Sequence, residues 1–291
     1  MTLRSNQFKE SSQCKGLCRL IYPENAQLYA TESYKEKITT SIIIPLYNEE
    51  NSIQNVIERI PNHSQYEIIV VDDGSTDKSV QNIKELGRED LLILQHQTNL
   101  GYGAALMTGF EFASGDLIVT MDSDGQHKPE ELEELVTPVL KEKADIVIGS
   151  RYLGQYEYRV PLHTRLGEYC IKLCFLMLFR QRVGNNQSGY RCFKKEVINS
   201  IHDTVSIGMG FTTEFLFKAA LKNFKIIEVP ISLSSRNHGY SYVKLFKLLK
   251  TIIACIIINF FKKKSQDFNK LFMRKWFHKL YHILSYLNRF I

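Results

Sequence analysis

Residues 117–131 place two aspartates where they could bind a cation. The apolar run at 117–121 predicts a buried strand, and Asp122 and Asp124 follow it two residues apart. Because side chains alternate along an extended backbone, both carboxylates point to the same side. Like charges this close are stabilised by a cation, and oxygen ligands favour Mg²⁺ or Mn²⁺. Gln126 adds a neutral oxygen, so we predict that Asp122, Asp124 and Gln126 bind the metal.

An isolated Asp-x-Asp pair is more often a turn or a helix cap than a metal site. Here, however, the pair belongs to a series of polar loops that follow predicted strands. We predict strands at residues 39–45, 67–71, 91–95, 117–121 and 145–151. These strands are almost continuously Val, Ile and Leu and alternate with helices, which predicts an α/β fold with a mostly parallel sheet covered on both faces.

In such sheets, ligands bind at the carboxyl ends of the strands. Four of the polar loops fall at this edge: those with Asn48, with Asp72 and Asp73, with Asp122 and Asp124, and with Ser150 and Arg151. The edge therefore carries the candidate site.

The charge of the 291-residue chain is uneven. Its formal net charge is +6, but residues 262–291 hold eight basic side chains against Asp267 alone, which makes that segment +7 and leaves −1 for the rest. A near-neutral body argues against a surface that coats nucleic acid, and a basic end favours a local anionic partner such as a membrane face.

We divide the chain into an N-terminal extension (1–38), an α/β domain that carries the candidate site (39–243) and a basic amphipathic tail (244–291). In the tail, the apolar run 245–261 is interrupted by Lys247, Lys250 and Asn259, which favours an interfacial helix over one that spans the bilayer. A second helix from Ser265 onward has an aromatic and aliphatic face opposite basic residues, which suits the anionic cytoplasmic leaflet. The alternative is that this helix packs on the protein's own core or on a partner subunit.

Two common nucleotide-binding motifs are absent from the sequence. The chain has no G-x-x-x-x-G-K-[ST], and no G-x-G-x-x-G opens a helix after the first strand. The aspartates after the second strand and the metal pair after the fourth suit a ligand with a hydrogen-bonding nucleoside and a diphosphate.

Seven ordered motifs then point to a family. They are Pro45-Leu-Tyr-Asn-Glu49, Val71-Asp-Asp-Gly-Ser-Thr-Asp77, Asn99-Leu-Gly-Tyr-Gly-Ala104, Asp122-Ser-Asp-Gly-Gln-His127, Gly149-Ser-Arg-Tyr152, Ser188-Gly-Tyr-Arg191 and Glu228-Val-Pro-Ile231. With them, residues 39–244 resemble the family 2 glycosyltransferases of the GT-A fold, within the dolichol-phosphate mannosyltransferase-like group.

The resemblance implies a role for each loop. The nucleoside of a sugar nucleotide would be held by Pro45, Tyr47, Glu49, Asp72 and Asp73. The metal and the donor would be held by Asp122, Asp124 and Gln126, and the acceptor phosphate by Arg151, Ser188 and Arg191, with Arg236 and Lys244 adding charge. Members often have Asp at the position of Asn185, so the charge near the acceptor differs here.

The expected activity is inverting, metal-dependent transfer of one sugar to a polyprenyl or dolichyl phosphate at the cytoplasmic face of a membrane. GDP-mannose, UDP-glucose and UDP-N-acetylglucosamine remain open as donors. One alternative is a family 2 transferase that acts on a sugar hydroxyl of a glycolipid or polysaccharide, which requires a general base. The other is a catalytically silent subunit that binds sugar nucleotides and recruits partners through its tail.

Overall fold

The computed structural model describes residues 18–21, 39–156, 162–200 and 208–234. The expectations for most of the extension, for the tail at 244–291 and for Arg236 and Lys244 therefore lie outside the described residues. Within these four ranges, no helix is long and apolar enough to cross a bilayer.

Eight strands and six helices make up the described domain. The strands are β1 Cys18–Ile21, β2 Thr40–Leu46, β3 Tyr66–Asp72, β4 Leu91–His96, β5 Leu117–Thr120, β6 Ile146–Tyr156, β7 Arg191–Lys194 and β8 Ile226–Leu233. The helices are α1 Ile53–Glu58, α2 Ser79–Lys84, α3 Tyr102–Phe112, α4 Leu132–Leu140, α5 Leu162–Phe179 and α6 Phe211–Leu221.

The strands form one sheet in the order β1-β4-β3-β2-β5-β7-β6-β8. Neighbours pair in parallel except where β1 and β7 run opposite to the other strands. The expected mostly parallel sheet is therefore confirmed. The strand order reverses at β2, which has β3 on one side and β5 on the other. Ligands of such sheets bind outside the carboxyl ends of the strands at this switch point.

Helices cover both faces of the sheet. On one face, buried side chains of α1 and α4 pack on the inward residues of β2 and β3. On the other, α3, α5 and α6 pack through a group of phenylalanines that includes Phe110, Phe175, Phe193 and Phe215. Because β2, β3 and β5 are buried on both faces, they read in sequence as continuous apolar runs.

Two short elements of the structure were not among those predicted from the sequence. Residues Cys18–Ile21 of the extension form the edge strand β1, which pairs antiparallel with β4. Pro129 opens a short 3₁₀ turn at Pro129–Glu131 before α4 begins. Neither element moves a predicted site residue away from the carboxyl edge.

Candidate active site

A hydrogen bond joins the loops that follow β2 and β5 at the switch point. Ser52, just before α1, donates its hydroxyl to the Ser123 carbonyl over 2.9 Å and lies 3.1 Å from Glu49 Oε2. The loop after β2 and the loop after β5 are thereby held together. The predicted nucleoside and metal loops therefore face each other.

Asp122 is enclosed by residues of its own loop and of two distant segments. Its Oδ1 accepts a hydrogen bond from the Tyr102 hydroxyl over 3.0 Å, and its Oδ2 lies 3.8 Å from His127 Nδ1. Gly189 lies against the carboxylate, and the Gly189 carbonyl accepts a 2.6 Å hydrogen bond from Thr120. These contacts fix the carboxylate while 32% of the side chain remains exposed.

This enclosure changes the acidity of Asp122. Partial burial raises the pKa of its carboxyl, and the neighbouring charge of Asp124 adds to the rise. The charge of His127, the Tyr102 hydroxyl and the charge of Arg191 oppose it. The ionised carboxylate is therefore short of positive charge in its immediate surroundings, which is the condition that a bound cation relieves.

The turn after Asp122 presents two more oxygen-bearing side chains. Gly125 has a φ of +75°, and the Gln126 N–H donates to Asp124 Oδ1 over 3.1 Å. Gln126 is bonded to Ser234, which follows β8, in two ways. Its side-chain amide donates to the Ser234 carbonyl, and its backbone carbonyl accepts from the Ser234 N–H. The turn thus keeps Asp124 and Gln126 beside Asp122.

These residues suit Mg²⁺ or Mn²⁺. No group of three or more His, Cys, Asp and Glu side chains in the described ranges is arranged to hold a metal by itself. A site of one or two carboxylates completed by substrate phosphates and water is the usual mode of Mg²⁺ binding beside a diphosphate. Asp122, Asp124 and Gln126 fit this mode, and they stay our prediction for the metal ligands.

Asp72 and Asp73 are both buried and differ in their partners. Asp72 accepts from the Ser75 N–H and from the Gln95 amide. Asp73 lies 2.7 Å from His96 Nδ1 and accepts from the N–H groups of Leu100 and Gly101 over 2.8 Å. Asp73 therefore holds the turn that starts α3, and through that turn it positions Tyr102.

The three predicted residues of the first loop lie at the carboxyl end of β2 and just after it. Pro45 is buried near the end of β2, Tyr47 is half-buried, and Glu49 is 8% exposed. The Glu49 N–H donates to Ser79 Oγ over 2.9 Å, which links this loop to α2. Binding of a nucleoside by this loop stays a prediction.

Arg151 lies at the carboxyl end of the regular part of β6, where it meets α5. Its Nη2 donates to Glu168 Oε1 over 2.7 Å, and the neighbouring Tyr152 hydroxyl donates to the other Glu168 oxygen. Burial and this hydrogen bond to Glu168 raise the pKa of Tyr152 to about 12. The guanidinium is thus oriented from behind by a carboxylate, and 13% of the side chain is exposed.

Ser188 and Arg191 face the interior of their loop. The Arg191 guanidinium donates to the carbonyls of Ser188, Asn186 and Thr212 over 2.8 to 3.0 Å, and Arg191 is 3% exposed. Burial lowers the pKa of Arg191 to about 10, against the charge of Asp122. This geometry favours a loop-holding role for Arg191, and the predicted contact with an acceptor phosphate stays a prediction.

Three residues that touch the site residues were not identified as such from the sequence. Tyr102 and Gly189 lie inside quoted motifs, but their contacts with Asp122 join segments far apart in the chain. Glu168 had a simple signal, because it is the one acidic residue in the α5 sequence. A buried acid on an apolar helix indicates a buried partner of opposite charge.

The sequence of residues 41–218, more than half of the chain, matches Glycosyl transferase family 2. The chain belongs to this family. It is therefore a nucleotide-sugar-dependent glycosyltransferase, and the resemblance drawn from the motifs is confirmed.

Relatives and solved structures agree with this placement. The chain is 32% identical over 65% of its length to a UDP-N-acetylglucosamine–dolichyl-phosphate N-acetylglucosaminyltransferase of Methanococcus voltae, covering 83% of that protein. It is 34% identical over 73% of its length to a dolichol-phosphate mannosyltransferase of Pyrococcus furiosus, covering 62% of that protein. A structure of Mycobacterium tuberculosis glucosyl-3-phosphoglycerate synthase with Mn²⁺, UDP-glucose and phosphoglyceric acid matches with a TM-score of 0.60, at 24% identity over 76% of this chain and 79% of that one, and shows the shared fold.

Proposed function

We propose that this family 2 glycosyltransferase transfers one sugar from a nucleotide sugar to a polyprenyl or dolichyl phosphate at the cytoplasmic face of a membrane. One observation carries the proposal: the carboxylates of the metal loop and the guanidinium of Arg151 lie at the same edge of one sheet, beside an apolar helix. The two relatives described above are both named for transfer to dolichol or dolichyl phosphate.

In this reaction the protein chiefly has to position two anions, the phosphate of the acceptor and the diphosphate of the donor. The acceptor phosphate oxygen attacks the anomeric carbon while the bond from that carbon to the nucleoside diphosphate breaks, so the configuration is inverted. Because the acceptor is already ionised at neutral pH, the reaction needs no strong general base. A divalent cation held by Asp122, Asp124 and Gln126 would neutralise the charge that collects on the leaving diphosphate.

Helix α5 supports a membrane location. Its outward face carries Leu166, Tyr169, Leu173, Leu176 and Met177, at the spacing of one helical stripe, and Met177 is 72% exposed. Among the described residues, the charged side chains around the stripe are basic, namely Arg165, Lys172, Arg180 and Arg182, while Glu168 is turned inward. An apolar stripe edged by positive charge suits an anionic lipid surface.

A release assay tests the proposal. Purified protein is incubated with Mg²⁺ or Mn²⁺ and a panel of GDP-mannose, UDP-glucose and UDP-N-acetylglucosamine, with and without a polyprenyl phosphate. We expect nucleoside diphosphate to be released only with the lipid phosphate, and Asp124→Ala to abolish that release. Release that ignores the lipid phosphate would assign the acceptor to a sugar hydroxyl or water, and release from no donor would favour a silent binding subunit.

A further inference from the structure

Glu168 connects helix α5, which carries the apolar stripe, with Arg151, the proposed binding residue for the acceptor phosphate. It lies on α5, whose opposite face carries the apolar stripe, and it is 3% exposed. Both of its carboxylate oxygens accept hydrogen bonds from consecutive residues at the end of the regular part of β6, Arg151 and Tyr152. Because each carboxylate oxygen of Glu168 has its own donor, the Arg151 and Tyr152 side chains are both restricted in rotation.

The connection of Glu168 with β6 is polar, as is the 3.1 Å hydrogen bond that the Asn186 amide donates to the Glu168 carbonyl, whereas neighbouring contacts of α5 with the core are apolar. Ile171 and Phe175 are buried against the phenylalanine cluster, and such contacts tolerate small shifts of a helix. A charge-assisted hydrogen bond of 2.7 Å tolerates them much less. A displacement of α5 would therefore move the Arg151 guanidinium as well.

The surroundings do not favour an ionised carboxylate at this place for stability alone. Burial raises the pKa of Glu168 even though Arg151 and the Tyr152 hydroxyl lower it, and the nearby charge of Glu228 adds to the rise. A buried ion pair is often no more stable than apolar side chains of the same volume. The position of Glu168 beside Arg151 is better explained by a role in orienting the Arg151 guanidinium.

We propose that Glu168 is a positioning residue of the acceptor site, which holds Arg151 for the acceptor phosphate and couples that guanidinium to the lipid-facing helix α5. This inference rests on the proposed function, because it assumes that the phosphate of a lipid acceptor binds at Arg151.

The test compares Glu168→Gln with wild type and with Asp90→Asn. Asp90 makes the control because it also accepts a bidentate pair of hydrogen bonds from an arginine, Arg88, but at the amino end of β4. We expect Glu168→Gln to raise the KM for a short polyprenyl phosphate about tenfold, the effect of losing one charge-assisted hydrogen bond, with the KM for the sugar nucleotide unchanged. Asp90→Asn should leave both KM values unchanged.

Tyr152→Phe gives a second variant that keeps the Arg151–Glu168 pair and should raise the acceptor KM less than Glu168→Gln does. Binding of dodecyl phosphate, followed by calorimetry, measures the same site without turnover and should weaken about tenfold in Glu168→Gln. If wild type transfers sugar and binds dodecyl phosphate, and Glu168→Gln does both equally well, this inference alone is overturned. Wild type that neither transfers to lipid phosphate nor binds dodecyl phosphate would overturn the proposed function as well.

Discussion

Gly189 lies so close to Asp122 that a Cβ built on the glycine would stand 2.3 Å from Asp122 Oδ1. No larger residue fits without moving the carboxylate. The Ser188-Gly-Tyr-Arg191 loop is therefore the back wall of the predicted metal site, and the Arg191 hydrogen bonds to three carbonyls keep that wall in place.

Gly189→Ala should inactivate the enzyme while leaving it folded. The added methyl group displaces Asp122, and a displacement of about 1 Å at a reacting group costs roughly 100-fold in rate. Nucleoside diphosphate release measures the loss, and circular dichroism checks the fold. Gly167→Ala is the matched control, because a Cβ at Gly167 meets no atom within 4 Å. Full activity of Gly189→Ala would show that the carboxylate position is not critical.

Tyr102→Phe should weaken metal binding. The variant removes the hydroxyl that donates to Asp122 Oδ1 over 3.0 Å and preserves the ring. Loss of such a hydrogen bond behind a metal ligand typically reduces metal affinity about tenfold. A Mn²⁺ titration followed by electron paramagnetic resonance, with nucleoside diphosphate present, measures the affinity. Tyr66→Phe, at the opposite edge of the sheet, should not change it; equal affinities for all three proteins would argue against Tyr102.

Arg191→Lys should destabilise the fold. A lysine ammonium cannot reach the carbonyls of Ser188, Asn186 and Thr212 in the planar arrangement that the guanidinium satisfies. We expect the free energy of unfolding to fall by about 2–4 kcal/mol, as for breaking buried charge-assisted contacts. Urea unfolding measures the change. A stable but inactive variant would instead place Arg191 in contact with substrate.

The raised pKa of Glu168 predicts a pH-dependent difference between wild type and Glu168→Gln. The folded protein retains the Glu168 proton to a higher pH than the unfolded chain, whose carboxyl titrates near its ordinary pKa of 4.5. The contribution of this group to stability is therefore present at low pH and is lost as pH rises through the folded pKa. Urea unfolding of both proteins should show wild type losing stability relative to the variant as pH rises from 4.5; the opposite trend would mean that the folded pKa is depressed.

Charged residues in the α5 stripe should reduce membrane binding. Leu166→Glu and Met177→Glu each place a charge on the outward face, and each should lower binding to anionic phospholipid vesicles about tenfold. Sedimentation with the vesicles measures binding. Leu140→Glu is the control, since Leu140 is also exposed, at 62%, but lies on α4. Unchanged vesicle binding together with disruption of a dimer would show that a second copy covers the stripe.

The sequence alone was sufficient to predict strands β2 to β6 and the loops that carry the chemistry. Continuous runs of Val, Ile and Leu in β2, β3 and β5 indicate that these strands are buried on both faces of the sheet, and the polar residues that follow them mark the strand ends. Parallel strands bring those ends to one edge whatever the details of packing. Asp122, Asp124 and Arg151 could therefore be placed at that edge from local patterns alone.

The tertiary structure decided which of these side chains remain partly exposed at that edge and which hold its loops together. Arg191 turns inward to three carbonyls, Asp73 holds the turn before α3, and Glu168 reaches Arg151 across 17 positions of the chain. Side-chain direction depends on which donors and acceptors are buried together, and that is set by contacts between segments distant in sequence. A motif shows that a charged residue is present, but its partners become known only once the chain is folded.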